Sequence, residues 1–231
     1  MHALARRLHQ PSGPARQSGT RGLVLNMGWR YDLLEWIFDG CLLHGNLRKL
    51  RERTADAAAL CSGDQVLDVG CGTGTLALIA QARVGPNGRV VGIDPGPEQV
   101  ARARAKAAHR RLPATFQVGA VERLPFADQT FDIALSTIML HHLPPDLRRQ
   151  GLAEIARVLK PAGRLVVADF REPRGSKSAP AQWGLRHGGV RDLPELVRAA
   201  RMTDVQTEEL TFPARLGHPP TVVLISATKS R

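Results

Sequence analysis

The 231-residue chain is poor in aromatic side chains, with a single Tyr, three Trp and six Phe. Its three cysteines, Cys41, Cys61 and Cys71, form no C-x-x-C pair, so neither a disulfide framework nor a zinc site is implied. Reduced thiols of a cytosolic protein are the simpler reading. No uncharged apolar run approaches the roughly 18 residues of a membrane span, which excludes an integral helical membrane protein. A continuous apolar segment of signal-peptide type is missing from the start. Lysine is scarce too: most of the 32 Lys+Arg residues are Arg. The net charge of +11 fits a nucleic-acid or anionic-surface partner in principle. The basic residues are scattered rather than gathered in one long run, which argues against nucleic acid.

What is present is ordinary globular material, 43% hydrophobic and 23% charged, enough for a sizeable core. No internal repeat or second core is visible. The expected organisation is a basic tail over 1–22 and one domain over 23–231, with a helical cap at 23–60 and a strand–helix region at 64–231. The tail holds Arg6, Arg7, Arg16 and Arg21 and no acid. A disordered leader on a cytoplasmic protein explains it; an organelle transit peptide, and hence a matrix location, is the alternative.

Tyr31, Leu34, Ile37 and Phe38 recur at helical spacing and predict one apolar face. Gly40 or Gly45 should break that helix, and a second one should run to Leu60. From residue 65 strands and helices alternate. Strands are expected at 65–69, 89–93, 115–118, 131–135 and 164–168, and helices at 76–82, 98–111, 146–159 and 193–200. Two closing strands, 205–210 and 221–227, have no helix between them and should pair antiparallel. The pattern predicts an α/β fold: a doubly wound, seven-stranded, mostly parallel sheet, Rossmann-like, with an antiparallel last strand and an N-terminal helical cap. Residues 171–190, with Arg171, Arg174, Lys177, Arg186 and His187, read as a loop.

The most informative stretch is Val66-Leu67-Asp68-Val69-Gly70-Cys71-Gly72-Thr73-Gly74. A buried strand runs into alternating glycines and a helix starts at once. Glycine is needed where the backbone bends sharply or a ligand approaches closer than a Cβ allows. The helix start offers unpaired N–H groups. Asp68 in an apolar strand is costly without partners. It could accept from the glycine-loop N–H groups or face a cationic ligand. Asp94, at the end of the next strand, is placed to take both hydroxyls of a ribose. A dinucleotide enzyme would need G-x-G-x-x-G, and this spacing is G-x-G-x-G.

With D-x-G-x-G-x-G in this context, the sequence resembles the class I S-adenosylmethionine-dependent methyltransferases. The resemblance extends through Gly119–Asp132 (G-A-V-E-R-L-P-F-A-D-Q-T-F-D), Ser136–Leu143, and Glu154–Leu165 (E-I-A-R-V-L-K-P-A-G-R-L). Tyr31-Asp32 matches the ubiquinone/menaquinone-biosynthesis-like group of small-molecule enzymes. The resemblance implies S-adenosyl-L-methionine as cofactor. It places Asp68, Gly70, Cys71, Gly72 and Gly74 around the methionine part, Asp94 on the ribose, and Pro95, Ala120 and Val121 by the adenine. Ser136 would line the methionine side, and Tyr31 could close over the site. The family's adenine-contacting Asp is Ala120 here, a loss of about 0.5–1.5 kcal/mol if water replaces it. Two family glycines are replaced by Ala162 and Arg201.

The implied function is methyl transfer by in-line displacement to O or C of a small or lipophilic acceptor. His141 and His142, just past the fourth strand, are the candidate general bases. Glu122 and Asp128 read as loop residues, and Asp169 as a turn or substrate-orienting residue. The partner is thus a small-molecule or lipid-like acceptor, with peripheral membrane association open and the chain a monomer or homodimer. The other readings are an RNA or protein methyltransferase using the basic surface, and a non-catalytic cofactor-binding module.

Overall fold

A computed structural model describes residues 20–41, 45–171, 189–211 and 221–231. The expectations for residues 1–19 and for Arg174, Lys177, Arg186 and His187 lie outside them. The described helices are α1 (Trp29–Cys41), α2 (Asn46–Ala57), α3 (Thr75–Val84), α4 (Pro97–Arg110), α5 (Pro145–Val158) and α6 (Leu193–Ala199). The strands are β1 (Gln65–Val69), β2 (Arg89–Asp94), β3 (Thr115–Val118), β4 (Phe131–Thr137), β5 (Leu159–Phe170), β6 (Met202–Thr211) and β7 (Thr221–Lys229).

The seven strands form one sheet in the order β3-β2-β1-β4-β5-β7-β6. β1 to β5 run parallel, and β7 is antiparallel to both β5 and β6. Strand alternation splits the apolar residues between two cores. Leu67, Ala134, Leu165 and Ile225 pack with Leu152 and Ile155 of α5 and Val197 of α6. Val66, Val90, Leu135 and Val166 pack with Leu50 of α2, Leu78 of α3 and Ala103 of α4. Both faces are therefore covered, the condition under which a parallel sheet is stable. The strand order reverses between β1 and β4, which opens a crevice at the carboxyl ends of the strands.

Several local expectations differ from the structure. Gly40 lies inside α1, and Gly45, left-handed at φ 77°, stands at the start of α2. α2 stops at Ala57, short of the expected Leu60, because Ala59 turns to φ 45°. β4 runs two residues further than expected, to Thr137. β5 starts early: Leu159 pairs with Phe131, the register shifts, and pairing resumes at Arg164 with Ile133. The Pro161-Ala162-Gly163 punctuation is a bulge inside the strand rather than a break before it. The apolar face of α1 is not buried as its periodicity suggests; Leu34 and Ile37 are exposed.

Candidate active site

The glycine loop joins β1 to α3. Gly70, Gly72 and Gly74 all have positive φ, which side-chain-bearing residues rarely adopt. Their surroundings differ. A Cβ on Gly70 would lie 2.2 Å from Met139 Cγ, and one on Gly74 would lie 2.8 Å from Phe116 Cε1. A Cβ on Gly72 would meet nothing within 4 Å. Gly72 is bare toward open space, so its missing side chain leaves a cradle.

The loop's donors are already directed. Gly70 and Cys71 N–H groups donate to the Ile93 carbonyl at 2.8 and 3.0 Å. The Gly72 N–H donates to Asp94 Oδ2 at 2.9 Å, and the Gly96 N–H to Asp94 Oδ1 at 2.8 Å. Asp94 rather than Asp68 therefore takes the Gly72 N–H, which removes the first of the two readings of Asp68 and leaves the second. Each Asp94 oxygen keeps acceptor capacity for a ligand. Burial pushes the Asp94 carboxyl up to about 6, against the two N–H bonds.

Asp68 is buried, and its Oδ2 has no hydrogen-bond partner. Its one backbone donor is Ala77, in the first turn of α3. Burial pushes its carboxyl up to about 7, and the charge of Asp94 adds to this. Such a group is stabilised by a cation brought beside it. Both carboxylates line an open cleft at the carboxyl ends of the strands. Gly70, Cys71, Gly72, Pro95, Ala120 and Val121 share its wall. The Cys71 thiol is held well above its usual range by burial and the two carboxylates, so it stays protonated.

Comparison with known proteins agrees with this geometry. A family profile described as a methyltransferase domain matches residues 66–163. A demethylmenaquinone methyltransferase of Thermus thermophilus is 37% identical over 184 residues, spanning 74% of this chain and 80% of that one. The chain belongs to the class I S-adenosylmethionine-dependent methyltransferases. A second demethylmenaquinone methyltransferase, from Symbiobacterium thermophilum, is 32% identical over 71% of this chain. This chain spans 64% of that relative's length, somewhat less than two thirds. The solved structure of the [4+2]-cyclase SpnF superposes with a TM-score of 0.66 at 25% identity, covering 79% of this chain and 80% of that one.

The family's cofactor fits the residues present. A buried carboxylate with one unpartnered oxygen, a second carboxylate with acceptor capacity to spare and a bare glycine line one cavity. Tyr31 lines the same cleft from α1. It bonds to Glu35, and burial, with help from that carboxylate, pushes its phenol up to about 12. Tyr31 is thus a donor at every working pH.

Two expected site residues stand elsewhere. Ser136 does not line the cleft; it is buried with its Oγ unpartnered. Because β4 continues past it, Ser136 follows the alternation of Ala134 and faces the α5 side of the sheet. Thr137, one residue on, lines the cleft instead. Of the two histidines only His142 lines the cleft. His141 is buried, and its Nδ1 lies 2.6 Å from Asp169 Oδ1. Burial pushes the Asp169 carboxyl up, but His141 and the backbone N–H groups of Phe170 and His141 outweigh it and hold it low. Asp169 thus holds a histidine and does not act as a turn residue. The two imidazole centroids lie 3.9 Å apart, with the rings tilted by 47°.

Four cleft residues carry no signature in the motifs. Arg51 of α2 lines the cleft and grips Glu35 through two bonds of 2.6 and 2.8 Å. Glu122 also lines the cleft, with a buried Oε2 that has no hydrogen-bond partner. Thr20 and Gly22, read as part of the tail, line the rim. The Leu23 N–H donates to the His142 carbonyl at 3.1 Å.

Proposed function

We propose that the chain is a cytoplasmic enzyme that transfers a methyl group to O or C of a small, lipophilic acceptor. The observation that carries this reading is the buried, unpartnered Asp68 oxygen in a cleft that also holds Asp94 and the bare Gly72. When bound, S-adenosylmethionine supplies a methyl group on a cationic sulfur. The chain's own task is to hold nucleophile and methyl in line and to exclude water. Asp68 faces the positive amino-acid end of the cofactor, with Arg51 and Glu35 setting the charge around it. Asp94, fixed by two backbone N–H groups, takes the ribose hydroxyls. Pro95, Ala120 and Val121 flank the adenine. Glu122, two residues from Ala120, offers the adenine amino group the carboxylate that Ala120 lacks. Tyr31 covers the methionine part.

His142 is the group at the cleft wall able to accept a proton from a phenol or enol. His141, clamped by Asp169, positions the His142 ring from behind. A quinol-like acceptor is supported by the relatives, which act on demethylmenaquinone by name. The apolar cleft residues Leu23, Leu25, Met139 and Leu143 suit such a ring.

Calorimetric titration with S-adenosylmethionine tests the reading. We expect micromolar binding, reduced about 10- to 100-fold in Asp94→Asn, since hydrogen bonds to a charged acceptor contribute about 1.5–3 kcal/mol. The same loss should not appear with NAD, which should fail to bind at all. Absence of S-adenosylmethionine binding by the folded protein would sink the proposal.

A further inference from the structure

α1 is amphipathic the wrong way round. Its three acids all turn toward the protein. Asp32 accepts from Thr73 Oγ1 at 2.5 Å and from Arg102 Nε at 2.6 Å. Glu35 is paired with Arg51. Asp39 accepts the Leu47 N–H at 2.8 Å and so caps the start of α2. At about 100° per residue, 31, 32, 35 and 39 share one arc of the helix. The opposite arc carries Trp29, Leu33, Trp36 and Ile37, exposed by 59%, 45%, 73% and 44%. Leu34 beside them is exposed by 51%. Among the described residues nothing covers this strip. Large apolar side chains gathered on an exposed face mark a contact surface.

A basic residue caps one end of the strip, and others are exposed on the neighbouring helix. The Arg30 guanidinium sits 5.8 Å over the Trp29 ring. Arg48 and Lys49, in the turn of α2 that Asp39 ties to α1, are exposed. The whole chain carries +11. Tryptophan and aliphatic residues beside cations, on a helix lying flat on a protein, are what an interfacial helix presents to anionic lipid. A second protein copy would bring the same positive charge to the same place.

We infer that the outer face of α1 docks the protein on an anionic lipid bilayer. The inner face of the same helix lines the cleft through Tyr31 and Glu35. Docking therefore sets the cleft beside the lipid phase, where a lipophilic acceptor resides. Only this last step rests on the proposed acceptor class; the docking itself does not.

Sedimentation with large vesicles tests it, using the full chain without cofactor or acceptor. Phosphatidylcholine vesicles are compared with an equimolar mixture of phosphatidylcholine and phosphatidylglycerol. We expect at least tenfold stronger partitioning onto the anionic vesicles, with a blue shift of tryptophan fluorescence. The Leu33→Ser, Trp36→Ser double variant should lose tenfold or more. Arg48→Glu with Lys49→Glu should lose about fivefold or more for each charge removed, on anionic vesicles only. Calorimetry of each variant with S-adenosylmethionine reports folding and cofactor binding separately from docking. Equal partitioning onto both vesicles, or partitioning unchanged in the double variant, overturns the proposal. So does a dimer in analytical ultracentrifugation that the double variant abolishes, because the face would then belong to a second copy.

Discussion

Gly72 and Gly74 look interchangeable in the sequence, yet they do different work. Gly74 is wedged against Phe116 and Ala103, with 2.8 and 2.9 Å left for a Cβ. Gly72 faces open space at φ 52°. Gly74→Ala should destabilise the fold by about 3 kcal/mol, combining overpacking with left-handed strain. Gly72→Ala should cost only about 1 kcal/mol of stability. Its methyl would project into the cofactor space, so it should weaken S-adenosylmethionine binding at least tenfold. Thermal melts and calorimetry on the two variants check this; equal effects on both readouts would refute the division of labour. At this scale the cofactor loop was legible because spacing alone places Asp68 and Asp94 on adjacent strand ends. Ser136 was misplaced because its orientation depends on where β4 ends, and two extra residues decide which face it takes. The histidine pair could not be told apart from sequence. Asp169, 28 residues away, selects His141 and leaves His142 to the cleft. Arg51 and Glu35 escaped notice because their pairing joins two helices outside every motif.

Two positions hold a conformation their residues do not favour. Ala162, in the β5 bulge, has φ 59°, and Arg201, after α6, has φ 62°. Both are positions where the family pattern has glycine, so the sequence flagged the sites and the backbone explains them. Left-handed strain of about 1–2 kcal/mol is only partly offset by the entropy glycine loses on folding. Ala162→Gly and Arg201→Gly should each stabilise by about 0.5–1 kcal/mol and raise Tm by about 2 °C. A lower Tm for either would show that its side chain contributes more than its backbone costs. The strands and helices from β1 to α5 were legible because their periodicities follow the burial the sheet imposes. α1 was not: its apolar spacing predicts burial, while its three acids find partners on the opposite arc and turn the apolar strip outward.

For the molecule as a whole, the cleft brings a pH sensitivity of its own. Asp68 and Asp94 titrate at about 7 and about 6, above the ordinary carboxyl value of 3.8. The folded, cofactor-free protein therefore holds these protons more tightly than the unfolded chain. Their stabilising contribution is full below pH 3.8 and is lost as pH rises toward 6 and 7. Asp68→Asn removes its share of that loss, so its Tm relative to the parent should climb across this window. A cationic cofactor favours the ionised carboxylate, so affinity for S-adenosylmethionine should rise over the same range in the parent and stay flatter in the variant. Melting curves and titrations at half-unit steps of pH measure both. Parallel curves for the two proteins would exclude Asp68 as the group responsible.

The placement of β7 between β5 and β6 has a consequence for how the protein is made. As the nascent chain leaves the ribosome, β1 to β5 can assemble while the far edge of β5 stays open. β6 emerges next but has no neighbour in the sheet until β7 arrives, because its pairs run only to β7. Through that interval Leu165, Val167 and the rest of a long buried strand present an unpaired, apolar edge, which is the template on which chains stick to one another. The last-closing seam of the sheet is thus the one a chaperone would have to guard, and it lies at the end opposite β3, far along the strand order from where β1 and β2 hold Asp68 and Asp94.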